Sequence, residues 1–155
     1  MLGGGYLLNS DEFCLWIHEQ KDDLSGETAP EELTDYKFFC FNGYVDCVMV
    51  CIDRKSGYPK FYFFDRNWKL LRYNIRGKEA PENFTLSKPD NMDKMFRIAE
   101  QLSRDKPFTR IDLYNCNGKI YFGEITFFPD SGLDKNLLPE TDKRWGKMLK
   151  LDGGK

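Results

Sequence analysis

The chain has 155 residues, 41% hydrophobic and 15% aromatic, enough for one domain with a substantial core and too short for two sizeable ones. With 23 Lys and Arg against 25 Asp and Glu, its formal net charge is −2, which argues against nucleic-acid binding, where phosphates call for a cationic excess. No uninterrupted apolar run approaches a membrane span, and Met1–Leu8 lacks the basic start and long apolar core of a secretion signal, so a cytoplasmic protein is expected.

Residues 1–34 form an N-terminal extension, with a short helix expected from Asp11 to Gln20 behind Ser10 as N-cap. An acidic stretch with Gly26 and Pro30 follows as a loop. The main domain spans 35–151. Tyr36–Phe41 reads as a strand, Asn42-Gly43 as a hairpin turn, and Tyr44–Ile52 as the returning strand. Arg54–Gly57 turns the chain into Pro59–Phe64, and Asp65-Arg66-Asn67 turns it again into a strand over Trp68–Tyr73. Connections this short make an antiparallel meander.

Residues 74–88 read as a polar linker. A helix then begins near Pro89–Asn91 and runs to about Arg104, with Met92, Met95, Phe96, Ala99 and Leu102 spaced as a buried stripe. A hairpin of Phe108–Asn115 and Lys119–Phe127 follows, then a loop-like tail with a short helix over Glu140–Leu149. The fold class is therefore α+β, an antiparallel sheet with one main helix packed on it. The five cysteines, Cys14, Cys40, Cys47, Cys51 and Cys116, are odd in number and form no CxxC pair, which suits free thiols in a reducing compartment. His18 is the one histidine, too few for a Cys/His zinc set, and it has no Ser or Cys at a triad-like spacing.

The last hairpin carries the chemistry. Period two sends Thr109, Ile111 and Leu113 to one face and Arg110 and Asp112 to the other; if the apolar sets of both strands face the core, Glu124 and Thr126 join Arg110 and Asp112. A two-residue Asn117-Gly118 turn would pair Cys116 with Lys119 and point Glu124 away from Asp112. A three-residue loop ending in a left-handed Gly118 instead pairs Asn115 with Lys119, setting Asp112 opposite Phe122 and Arg110 opposite Glu124. Hydrophobic patterning selects the second register. Two unit negative charges 4 Å apart repel by about 4 kcal/mol at an effective dielectric near 20, so a cation should offset them, either Arg110 or a divalent ion. Oxygen ligands of this kind suit Mg²⁺ sharing its shell with a phosphate. The plain alternative is a surface hairpin with a weak Arg–Glu cross-strand pair.

Phe108-Thr109-Arg110-Ile111-Asp112-Leu113-Tyr114, followed by Tyr121–Pro129 and Gly132, resembles the final hairpin of ATP-grasp ligases, in which an R-x-D strand precedes one bearing E-x-N and a Pro/Gly loop. Asp35–Gly43, Asp53-Arg54, Phe64–Trp68 and Lys88-Pro89 resemble the TupA-like branch, associated with teichuronopeptide and surface-polysaccharide biosynthesis. The similarity runs from about Asp35 to Leu151. It implies ATP and Mg²⁺ as cofactors and a reaction that activates a carboxylate with ATP before an amine displaces phosphate. By that resemblance Asp112 and Glu124 match the Mg²⁺ carboxylates, and Thr126 stands where the family has its third ligand, Asn. Arg110 matches the arginine that steadies charge on the acyl phosphate, and Lys37 and Arg54 are candidates for phosphate contacts.

The resemblance covers only the second of two ATP-grasp lobes, and residues 1–34 are too few to supply the first. The expectation is a fragment, a shortened homologue, or half of an assembly completed by a missing-lobe partner or a homodimer. A non-catalytic binding or regulatory module on the same sheet is the alternative function.

Overall fold

The computed structural model describes residues 34–116, 118–127, 129 and 134–149. The helix expected over Asp11–Gln20, like the rest of the N-terminal extension before Thr34, lies outside them. The aromatic run forms β1 (Thr34–Phe41), and Asn42-Gly43 returns the chain into β2 (Tyr44–Ile52). Both turn residues have positive φ, 53° and 82°, the mirror-image turn geometry that Asn-Gly adopts at little cost and that matches strand twist. Pairing slips between Phe39 and Cys40, leaving Asp46 as the extra residue of a bulge in β2.

The meander continues through β3 (Lys60–Phe64) to β4 (Leu70–Leu71). The strand expected over Trp68–Tyr73 shrinks to those two residues. Asp65 holds a tight turn, accepting from Trp68 N at its carbonyl (3.0 Å) and from Lys69 N at its carboxylate (2.9 Å). Trp68, at φ 63°, leaves the ladder; its ring stacks on Phe64 at 4.7 Å and its indole N–H donates to Leu86 O at 2.7 Å. The expected linker contains α1 (Ile75–Glu79), whose Asn74 cap accepts from Gly77 N at 2.8 Å.

Next come α2 (Met92–Ser103), β5 (Phe108–Cys116), β6 (Lys119–Thr126) and α3 (Pro139–Met148). The six strands form one antiparallel sheet in the order β4-β3-β2-β1-β5-β6. The fold is α+β. Met92, Met95, Phe96, Ile98 and Ala99 of α2 bury one face, with Phe96 edge-on to Phe38 at 5.2 Å; Leu102 of the expected stripe is partly buried. On the opposite face Trp145 of α3 stacks on Phe39 at 4.8 Å, over Phe41, Cys47 and Phe63.

The last hairpin departs from the expected register. Cys116 pairs with Lys119 and Leu113 with Phe122, as a two-residue turn dictates; the pairing then slips, so that Asp112 faces Glu124 and Arg110 faces Thr126. Asp112 therefore does not oppose Phe122, nor Arg110 Glu124. Patterning correctly demands one additional residue to keep Ile120, Phe122 and Ile125 on the core side. The chain places it in mid-strand, at Gly123, rather than in the turn. A Cβ on Gly123 would lie 2.8 Å from the Tyr114 ring and 2.9 Å from Asp112 O, so only glycine admits this approach.

Candidate functional site

Alternation along β1, β5 and β6 puts Asp35, Lys37, Arg110, Asp112, Glu124 and Thr126 on the sheet face that also carries Trp145. Lys37 is the cross-strand partner of Asp112. Its ammonium lies between two buried carboxylates, 2.8 Å from Asp35 and 2.7 Å from Asp112. Arg110 grips Asp112 with two parallel bonds, Nε to Oδ1 at 2.7 Å and Nη2 to Oδ2 at 2.8 Å. The same Nη2 reaches Glu124 Oε1 at 3.1 Å and Thr126 Oγ1 at 3.4 Å. Thr126 in turn donates to Glu124 Oε1 at 3.3 Å. Arg54 bonds Asp35 and donates from Nε to Cys51 Sγ at 3.3 Å.

All six residues expected at the site are thus placed on one network, with Arg54 and Lys37 at one end and Arg110, Glu124 and Thr126 at the other. Arg110 supplies the positive charge that two facing carboxylates require. Burial differs sharply along the chain of charges: Asp35 is 0% exposed and Asp112 2%, whereas the Glu124 side chain is 63% exposed. Burial pulls the Lys37 pKa down, but its bonds to Asp112 and Asp35 outweigh that and raise it; Arg110 follows the same pattern through Asp112. Asp35 Oδ1 is buried and without a hydrogen-bond partner among the described residues.

Sequence reasoning left Asp35, Asp46 and Trp145 out of the site. Asp35 had a signal, since it sits two residues before Lys37 and so on the same strand face. Asp46 had none, because its inward turn follows from the β2 bulge. There it accepts from Trp145 Nε1 at 2.9 Å and Arg144 Nη2 at 2.7 Å, pinning α3 to the sheet. Arg144 also donates from Nε to the Tyr73 hydroxyl at 3.0 Å.

The α3 side of the site opens into a cavity of about 1020 Å³ whose wall includes Phe39, Phe63, Phe108, Arg110, Trp145 and Gly146.

Among the described residues no group of three or more His, Cys, Asp or Glu side chains is disposed to hold a metal. Asp112 and Glu124 instead offer two facing carboxylates beside a hydroxyl. Hard oxygens are the kind Mg²⁺ takes alongside waters and phosphate oxygens, and here both Asp112 oxygens are already engaged by Arg110 and Lys37, leaving the exposed Glu124 carboxylate the more open of the two.

The TupA-like ATPgrasp family model matches residues 15–150, and the chain belongs to that family. The match begins upstream of Asp35, where the legible motifs start. Neither the curated proteins nor the solved structures gave a match. No helix among the described residues is long and apolar enough to cross a membrane.

Proposed function

We propose that this chain carries the Mg²⁺–nucleotide half of an ATP-dependent carboxylate–amine ligase site serving surface-polysaccharide biosynthesis in the cytoplasm. The observation that carries the reading is the single guanidinium shared by Asp112 and Glu124. Asp112 and Glu124 would hold the metal with the Thr126 hydroxyl beside them, and Mg²⁺ when bound would neutralise phosphate oxygens. The residues' own part is positioning and charge stabilisation. Arg110, fixed by Asp112, presents a planar cation to an acyl phosphate. Lys37 holds Asp112 in place from the opposite side. Arg54, with half of its side chain exposed, is a cation of this network open enough to meet a phosphate. A partner supplying the other lobe, or a second copy of the chain, would complete the site; alone the chain would turn over weakly or not at all.

One observation favours a second reading, a non-catalytic binding or regulatory module. Asp35, Asp112 and Glu124 are already matched by Lys37, Arg54 and Arg110, a closed set of pairs that could simply hold the sheet together.

Calorimetric titration with ATP, in the presence and absence of Mg²⁺, separates the two. Mg²⁺-dependent binding that is lost in Glu124→Gln, with the thermal midpoint unchanged, supports the ligase-type site. Exposed Glu124 makes that variant safe to fold. Wild-type protein without nucleotide affinity removes the ligase reading and leaves the module.

A further inference from the structure

We infer that the cavity between α3 and the sheet is filled by this chain's own N-terminal segment, with Phe13, Trp16 and Ile17 laid against the Trp145–Phe39 wall. Neither metal nor nucleotide enters this contact, so it stands apart from the ligase reading above.

The wall calls for an apolar cover. Phe39, Phe41, Phe63 and Trp145 are each at most 9% exposed yet border an open space of about 1020 Å³. Protein interiors pack without voids of this size, and an apolar opening so large marks a surface that another group covers. Phe127 and Leu149, also on the wall, are 51% and 38% exposed. No buried charge among the described wall residues is left unmatched. Asp112 and Glu124 answer Arg110, while Asp134, Lys135 and Asp142 are exposed, where water screens them. A volume at the top of the small-molecule range suits a piece of chain.

The segment before the sheet has the matching side chains. Phe13, Trp16 and Ile17 fall at i, i+3 and i+4, the anchor spacing with which a helix lays one face into an apolar groove. The family model begins at residue 15, so Trp16 and Ile17 belong to the same domain as the sheet.

Reach and charge agree. Phe41 lies about 23 Å along β1 from Thr34, at roughly 3.3 Å per residue, and the connection over 18–33 can span about 50 Å. Within it Asp22, Asp23, Glu27, Glu31 and Glu32 stand against Lys21 alone. The outer side of α3 presents exposed Lys143, Arg144 and Lys147 beside Glu140. An acidic connection is thus drawn along the basic side of the helix that walls the cavity.

Hydrogen exchange on the full chain, read by mass spectrometry over residues 11–20, is the test. Those amides should exchange at least about 10-fold more slowly than in an unstructured peptide, at every protein concentration. Gly146→Leu puts a side chain into the cavity from a position where a Cβ meets nothing within 4 Å, and leucine favours the helix over glycine. It should bring 11–20 to within about 2-fold of the unstructured rate while β1 and β5 exchange as in wild type. Trp16→Glu should uncover the cavity and raise the fluorescence of added 1-anilinonaphthalene-8-sulfonate at least about 3-fold, as newly exposed apolar surface does. Gly146→Leu added to Trp16→Glu should remove that gain. Unprotected amides over 11–20 in wild type, or protection that survives Gly146→Leu, overturns the inference. Dye binding as strong in wild type as in Trp16→Glu also overturns it, as does protection that grows with concentration, which gives the cavity to a second copy.

Discussion

Asp112 faces Glu124 across β5 and β6 because Gly123 occupies the bulge that brings the two strands back into phase. Both carboxylates then reach the same Arg110 guanidinium. The bulge thus builds the site's geometry as much as the charged residues do. Gly123→Ala is expected to lower stability by about 1–3 kcal/mol, since the new Cβ meets the Asp112 carbonyl, which no side-chain rotation can relieve. Urea denaturation measures it, and Mg²⁺-dependent nucleotide binding should fall with it. An unchanged midpoint would show that β6 does not need the close approach.

Lys37 and Arg54 should differ in their effect on stability. Lys37→Met leaves Asp35 and Asp112 buried with one cation fewer, a loss of about 3–5 kcal/mol for breaking a buried pair. Arg54 is half exposed, so Arg54→Met should cost about 1 kcal/mol or less. Chemical denaturation of both variants side by side decides the order; equal losses would mean that Lys37 is not the keystone of the network.

The latch at Asp46 holds the cavity wall. Asp46→Ala strips the partner from the Trp145 indole N–H and from Arg144, and an orphaned buried donor costs about 1–3 kcal/mol. Near-UV circular dichroism should weaken as the Trp145–Phe39 stack loosens. Retention of the wild-type signal would show that packing alone seats α3.

Alkaline pH should destabilise the fold. Burial pushes the Cys40 thiol up to about 12 from 9.0, and burial likewise pushes Tyr73 up to about 12 from 10.0. In each case the folded chain keeps a proton that the unfolded chain releases, so the contribution is full below the unfolded pKa and drains away as pH climbs toward the folded one. Lys37 acts in the same direction. Its raised pKa supports the fold below the ordinary value of 10.5, and this support is lost as pH passes through the folded value. Urea midpoints from pH 7 to 11 should fall above about pH 9, with Cys40 contributing at most about 1.4 kcal/mol per pH unit. Cys40→Ala should flatten that slope; an equally steep decline would assign it elsewhere.

Much of this architecture is legible along the chain. Asn42-Gly43 forms the turn expected of it, α2 buries four of the five apolar residues in its predicted stripe, and Arg110, Asp112, Glu124 and Thr126 share a face. Trp68 misled because an aromatic residue after a turn looks like a strand residue, while the Asp65 hydrogen bonds that hold it out of the ladder are not visible in periodicity. The hairpin register misled for a subtler reason. Alternation counts residues per face and so reveals that one is surplus, but Gly118 and Gly123 satisfy that count equally well.

Local rules, then, settled what each segment becomes and which way its side chains point, because turn geometry and two-residue alternation act over a few neighbouring positions. Only the assembled sheet decided which glycine absorbs the surplus, that Lys37 of β1 lies between Asp35 and Asp112, and that Asp46 anchors Trp145 from 99 positions away. Those contacts depend on strand order and interstrand register, where the free energy resides in meetings between segments that the linear pattern leaves unspecified.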